Sequence, residues 1–422
     1  MQVKRLSLKI SPDVRRVISL SYNIDQENVY RIASILLKME PDERQKLLEQ
    51  TLEQFSNRHR DLEGVLKKHF KELEPFLPSG FKLKESDQLL LASYFTKEYS
   101  VESAALFNPS IAPLDRSEDG EQPFVLSLRA TGEGHISSIE FLQGAIDNIG
   151  HLRIIPPPSG FATGPEHIRH LSGDHPVTEV RFPDEMPLSE QVIFPITDDE
   201  SNGIEDLRLV RFEDDGEVTY YGTYTAYNGY RIQTKIMETK DFKTFRFHNL
   251  KGKAIQDKDM ALFPQKINGK YAMISRQDGN NLFIMYSENL FEWQDHIPIM
   301  RPEMPWELSK IGNCGSPLKT EKGWLLITHG VGPMRKYQLG AVLLEPENPQ
   351  KVAARLYEPL LGPEEHEREG YVPNVVYTCG AMIHHDQLVL PYAMSDSASG
   401  MALFDVHELL QTMERESKGD RE

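Results

Sequence analysis

A five-fold recurrence of apolar strands constrains this chain more than any other feature. The segments 124–128 (Phe-Val-Leu-Ser-Leu), 219–223, 271–275, 324–328 and 388–392 are short, rich in β-branched and aromatic residues, and bounded by turn formers. Three of the four gaps between their starts are near fifty residues, about the length of one propeller blade. Before each lies a strand with a proline or polar residue near its start: Asn108-Pro109, Asp206-Leu207, Phe263-Pro264, Ser316-Pro317 and Pro373-Asn374. After each lies a third, at 138–142, 231–238, 282–287, 339–344 and 401–405. Thr239-Lys-Asp-Phe-Lys-Thr-Phe245 and Ser287-Glu-Asn-Leu-Phe-Glu-Trp293 echo each other 48 residues apart. A β-sandwich would explain the strands but not the period. The pattern predicts an all-β five-bladed β-propeller over residues 101–410, with an N-terminal α-helical extension.

That extension, a helical arm over 1–100, rests on a different periodicity. Ser11-Pro12-Asp13 and Glu40-Pro41-Asp42-Glu43 have the form of helix starts, and apolar residues recur at helical spacing from Val29 to Leu91. Its apolar stripes are expected to pack on the next domain or on a partner subunit, which makes it the candidate surface for homo-oligomer formation. Residues 411–422 read as a charged C-terminal tail. The longest gap holds an insertion over about 143–200, rich in Pro, Gly and His. A long irregular loop in a compact domain is more often functional than structural, so a lid or substrate loop is expected, with a solvated excursion as the alternative.

The 422 residues carry a net charge of −17, which argues against a nucleic-acid binder. An anionic small molecule is still admitted, because a cationic pocket can sit in an acidic protein. No apolar run approaches membrane-spanning length, and Met1–Leu8 lacks the core of a signal peptide. A cytoplasmic location with no membrane association is the expectation. Two cysteines, Cys314 and Cys379, are too few for a disulfide framework. His167, His170 and the His384-His385-Asp386 cluster lack ligand spacing and read as solvated, so neither a metal nor an organic cofactor is expected.

In a propeller the first strand of each blade lines the axis. The strand entrances therefore place Asn108, Asp206, Pro264-Gln265-Lys266, Ser316 and Asn374 at one mouth of the channel. Residues closing the first hairpins, Arg129, Asn228 to Arg231, Arg276 and His329, would ring it. Glu205-Asp206-Leu207-Arg208 is either a surface ion pair at a turn or an acid placed for proton transfer. One carboxylate among Arg, Lys, His and Asn suits a polar, anionic substrate. Gly132-Glu133-Gly134-His135 has no helix after it and reads as a hairpin turn, not a phosphate loop.

The chain resembles glycoside hydrolase family 130, the β-mannoside phosphorylases and β-1,2-mannosidases, over about Ala104–Leu409. The resemblance is carried by Phe107-Asn108-Pro109, Glu205-Asp206-x-Arg208, Ala261-Leu-Phe-Pro264-x-Lys266-Ile-Asn-Gly269, Lys310-Ile-Gly312, Gly323–Val331 and Val372-Pro373-Asn374-Val375. It implies a five-bladed propeller with Asp206 as the general acid, acting on the glycosidic oxygen through a sugar hydroxyl while phosphate attacks with inversion. It further implies Asn108, Arg129, Asn228, Asn374 and Asp396 as sugar-binding candidates. Arg231, Lys266, Arg276 and His329 become the phosphate-binding candidates. The implied reaction is inverting phosphorolysis of a β-mannoside, a β-1,2-mannoside by preference, to mannose 1-phosphate, with inorganic phosphate as co-substrate. Where many members have Asp-Val-Pro-Asn, this chain has Tyr371-Val372-Pro373-Asn374. Inverting hydrolysis needs a second carboxylate to activate water, with Glu205, Glu133, Glu367 and Glu369 as candidates. A non-catalytic carbohydrate-binding propeller is the reading from another class.

Overall fold

The computed structural model describes residues 3–78, 81–115, 120–173 and 175–417. The chain forms two compact units. One comprises residues 13–103 with 158–164; the other comprises 1–12, 104–157 and 165–422.

In the smaller unit, helices Gln26–Leu36, Pro41–Phe55, Leu62–Leu73 and Glu85–Ser93 are set by local chemistry. Asp25 and Asp61 accept hydrogen bonds from the backbone N–H groups of Asn28 and Gly64, and Pro41 occupies the first turn of its helix. Their apolar stripes meet in one core that includes Val29, Leu48, Leu66, Phe70, Leu73 and Leu90. The strands Val17–Ser21 and Thr96–Ser100, which frame the helices in sequence, pair with each other.

The larger unit is dominated by antiparallel β-structure. Its eleven-stranded sheet has two halves, Ala105–Pro113/Gln122–Thr131/Ser137–Ile146 and Gly203–Asp214/Glu217–Tyr227/Ile232–Thr239/Thr244–Asn249 with their edge strands. The halves join through the parallel pairing of Gly203 with Ser137. Gly203 has φ +134°, and a Cβ there would lie 2.8 Å from the Ser137 nitrogen, so only glycine fits this junction. A four-stranded sheet follows (Ala261–Leu262, Tyr271–Ser275, Leu282–Ser287, His296–Met300). The next sheet is built on Trp324–Val331 and Tyr337–Leu344, and the last on Gln387–Met394 and Ala398–Asp405. Each recurrent apolar segment of the sequence is an inner member of one of these groups, buried against its neighbours.

Three expectations change. Lys4–Ile10 is not part of a helical arm; it is a strand paired with Ala398–Asp405, so the chain's start completes the sheet made by its end. The alternation of Leu6, Leu8 and Ile10 carried that signal. Residues 411–417, read as tail, continue the helix Val406–Ser417, which buries Leu409, Leu410 and Met413; residues 418–422 lie outside the described residues. None of the described residues of the insertion lines the cavity described below. Its hairpin His167–Leu171/Val177–Arg181 pairs with the outer strand Thr244–Asn249, and Leu152–Ile154 and Val192–Ile193 pair with Ser137–Ile146.

Candidate active site

Two strands begin in the same unusual way. Asn108 and Asp206 have φ of +47° and +55°, and the strand register slips across each, between Phe107 and Ser110 and between Glu205 and Arg208. Bulges of this kind turn a side chain out of the pleat and recur beside active sites. Here they bring the two residues together: Asn108 Nδ2 donates to Asp206 Oδ1 at 2.7 Å. Arg129, from the neighbouring strand, donates to Asp206 Oδ1 at 3.3 Å and to Glu205 Oε1 at 2.7 Å. The approach to this strand is held by Glu200, whose buried carboxylate accepts from Tyr224 Oη at 2.7 Å and Lys235 Nζ at 3.1 Å.

Asp206 is 5% exposed and opens on a cavity of about 150 Å³. Asn108, Arg129, Arg276, His329 and Asp396 line the same cavity, as do Lys258, Asp259, Lys310, Arg335, Tyr337 and Tyr377. Beneath it runs a buried ion network. Arg208 donates to the Asp206 carbonyl at 3.0 Å, to Asp259 Oδ1 at 2.9 Å and to Tyr377 Oη at 2.7 Å. Arg276 holds the other oxygen of Asp259 at 2.8 Å and chelates Asp257. Gly312 lies against this network: a Cβ there would be 2.1 Å from His329 Cε1 and 3.0 Å from Asp259 Oδ2.

Charge is distributed unevenly. Burial opposes ionisation of Asp206, but Arg129, Lys258, Arg208 and the Asn108 hydrogen bond outweigh it and hold the carboxyl below its usual value. Asp396 goes the other way, pushed up to about 6 by burial and by the charge of Asp206. His329 is brought down to about 3 by burial and by Arg276, Arg208 and Lys310, against the pull of Asp259. At neutral pH it is an uncharged ring, 5.8 Å from and nearly parallel to Tyr337, offering a hydrogen bond and no positive charge. Lys310 is lowered by burial and by Arg276, and has no ion-pair partner among the described residues. A lysine unpaired beside an arginine makes a place for an anion.

The raised carboxyl has a measurable consequence. A folded-state value above the unfolded one gives stability that is full below pH 3.8 and lost as pH rises through about 6. Asp396→Asn should therefore raise the melting temperature relative to the parent at pH 7.5, by up to about 3 kcal/mol in unfolding free energy. The gap should close by about pH 4. An unchanged difference across that range would show that Asp396 carries no strained charge.

Four expected site residues lie elsewhere. Lys266 pairs with Asp214 at 2.6 Å and lines a separate cavity of about 620 Å³ together with Pro264, Gln265 and Ser316. Asn228 accepts from the backbone N–H groups of Tyr230 and Arg231, and so shapes its own turn, while Arg231 is exposed. Asn374 turns to Arg368, accepting from its Nε at 2.7 Å, and does not line the cavity although Val372 and Val375 do. Among the second-carboxylate candidates, Glu205 is paired to Arg129, and Glu367 is buried under Arg5 and Tyr392. Glu133 and Glu369 are exposed, and none of the four lines the cavity.

The error with Lys266 is one of register. Phe263-Pro264 looks like Asn108-Pro109, but the strand before it has only two residues, Ala261–Leu262, and its entrance is Lys258-Asp259. The charged triplet Asp257-Lys258-Asp259 ahead of an apolar run repeats the form of Glu205-Asp206 and was the available signal. Lys310 stood within a family block without a role.

The cavity thus joins Asp206, Asp259 and Asp396 with several cations, an arrangement that can hold an anionic group beside a proton-transferring carboxyl. Comparisons with known proteins agree. A profile of glycoside hydrolase family 130, described as beta-1,4-mannooligosaccharide phosphorylase, matches residues 173–415. A 1,2-beta-oligomannan phosphorylase of Thermoanaerobacter sp. (strain X514) is 39% identical over 53% of this chain and 75% of its own length. A beta-1,2-mannobiose phosphorylase of Listeria innocua serovar 6a is 31% identical over 80% of this chain and 86% of its own. A solved structure of a Listeria innocua β-1,2-mannobiose phosphorylase, in complex with β-1,2-mannobiose, superposes with a TM-score of 0.52 at 23% identity, covering 74% of this chain and 92% of that one. This chain belongs to glycoside hydrolase family 130.

Proposed function

We propose that this protein is a β-mannoside phosphorylase that transfers a mannosyl group from a β-mannoside, β-1,2-linked by preference, to inorganic phosphate with inversion. Phosphate attacks the anomeric carbon as the glycosidic bond breaks, and the leaving oxygen takes a proton from Asp206 relayed through a sugar hydroxyl. Mannose 1-phosphate and the shortened saccharide result. Because Asp206 is ionised in the empty site, the proton arrives with the substrates, and monobasic phosphate supplies it. Asn108, Arg129 and Asp396 fit the sugar; Arg276, Lys310, Arg335 and the neutral N–H of His329 fit the phosphate.

The observation that carries phosphorolysis is that Lys310, a half-buried cation with no ion-pair partner among the described residues, shares the cavity of Asp206. Phosphate needs no base to activate it, only positions for its charge. Asp396 favours a second reading: it is a further carboxylate in the cavity, and inverting hydrolysis uses two. The test is to supply β-1,2-mannobiose with and without phosphate. Mannose 1-phosphate is expected only with phosphate, with a KM for phosphate raised at least about tenfold in Lys310→Met and unchanged in Lys266→Met. Free mannose released equally without phosphate would favour the hydrolase.

The larger unit also fits a five-bladed propeller if the eleven-stranded sheet is counted as two blades at its Gly203–Ser137 junction. The helical residues of the first hundred are then an appended domain. Among the described residues no helix is long and apolar enough to cross a membrane. A cytoplasmic location, and self-association through the helical unit, complete the proposal.

A further inference from the structure

The cavity over Asp206, about 150 Å³, is well below the roughly 300–1,000 Å³ of pockets that enclose a whole ligand. It has room for one sugar ring, so any further rings of the saccharide must leave through its mouth. One five-residue turn carries the cavity-lining Arg335, and a second of the same construction carries His135, which packs on Tyr371 next to the cavity-lining Val372. Gly132 donates to the carbonyl of Ile136 at 3.1 Å, and Gly332 to that of Lys336 at 3.0 Å. Both turns hold non-glycine residues in left-handed backbone, His135 at φ +61° and Met334 and Arg335 at +58° and +56°. Each such residue costs about 1–2 kcal/mol, a cost that tends to persist where it serves a site.

These turns expose Glu133, His135, Met334 and Arg335 to solvent. Met334 is 91% exposed and follows directly on the turn's proline, beside the cavity-lining Arg335. His135 lies 5.2 Å from Tyr371 with the rings tilted by 31°, and Tyr371 is 61% exposed. Tyr371 adjoins Val372, which lines the cavity. An exposed aromatic ring braced by an imidazole, with a thioether near the same mouth, is a surface for the C–H face of a sugar.

We infer that Tyr371, positioned by His135, is a specificity residue for the leaving-group side of the substrate, stacking on the third sugar counted from the one in the cavity and favouring oligosaccharides over the disaccharide. This rests on the β-mannoside reading above. The test is phosphorolysis of the β-1,2-mannan di-, tri- and tetrasaccharides by the parent protein, Tyr371→Ala and Tyr371→Phe. Losing one stacking contact should lower kcat/KM about 3- to 10-fold for the two longer substrates in Tyr371→Ala, with less than about twofold change for the disaccharide and near-parental values for Tyr371→Phe. Equal losses at every length, or none, would overturn the inference. Calorimetric binding of the same series separates the two readings. A parent that binds longer chains more tightly through Tyr371 but never makes mannose 1-phosphate would refute the activity and keep the subsite. Phosphorolysis without any dependence of binding on Tyr371 would do the reverse.

Discussion

Replacing Asp206 with Asn should lower kcat for phosphorolysis by about 10²–10⁴-fold, the usual worth of a positioned acid. The amide keeps an oxygen to accept from Asn108 and Arg129, which now hold Asp206 Oδ1 at 2.7 and 3.3 Å, so saccharide binding should survive. The parent enzyme should slow as pH rises, because the catalytic form is protonated and Arg129, Lys258 and Arg208 hold the group below its ordinary value. The residual activity of the variant should lack that slope. There is also a coupled effect: without the charge of Asp206, the carboxyl of Asp396 should titrate below its present value of about 6. Asp206→Asn with parental kcat would take Asp206 out of the acid role.

The second large effect concerns stability. Asp259→Asn should cost about 3–5 kcal/mol, the range for breaking a buried ion pair while leaving its partner charged. Arg208 is 1% exposed and relies on Asp259 at 2.9 Å; Arg276 relies on its other oxygen at 2.8 Å. Burial opposes the charge on Asp259, but Arg208 and Arg276 overcome it and hold the carboxyl far below the ordinary 3.8. The stabilisation is therefore present above that value and lost as pH falls below it. Thermal melts at pH 7 should show the full deficit, with the gap to the parent narrowing under strongly acid conditions. A deficit below about 1 kcal/mol at pH 7 would mean that the network relaxes around the change. The same substitution should also reduce phosphorolysis, since Arg208 links Asp259 to the backbone of Asp206.

Much of this site was legible in the chain before it was folded. Glu205-Asp206-Leu207-Arg208 marked an acid at the entrance of an apolar strand, and Asn108, Arg129, Arg276 and His329 were named with it. All of them meet at one cavity. Long strands made this possible: Gly203–Asp214 and Gln122–Thr131 have enough alternation to fix which end lies where. Lys266 failed for the opposite reason, because a two-residue strand has almost no pattern and x-Pro is a weak marker of register. Asn228, Arg231 and Asn374 lie in turns, where a side chain's direction depends on a few dihedral angles that composition does not specify.

The sequence by itself determined the β-rich repeat, the helices between Gln26 and Ser93 and the candidacy of Asp206 as a buried carboxylate at a strand entrance, since each is written in local periodicity or in one short run of residues. Only the tertiary structure decided that Lys4–Ile10 completes the last sheet, that Lys258, Asp259 and Lys310 and not Lys266 share the cavity of Asp206, and that His329 is neutral there. Those outcomes depend on contacts between residues far apart in the chain, and on the loss of water around charges that the contacts bury.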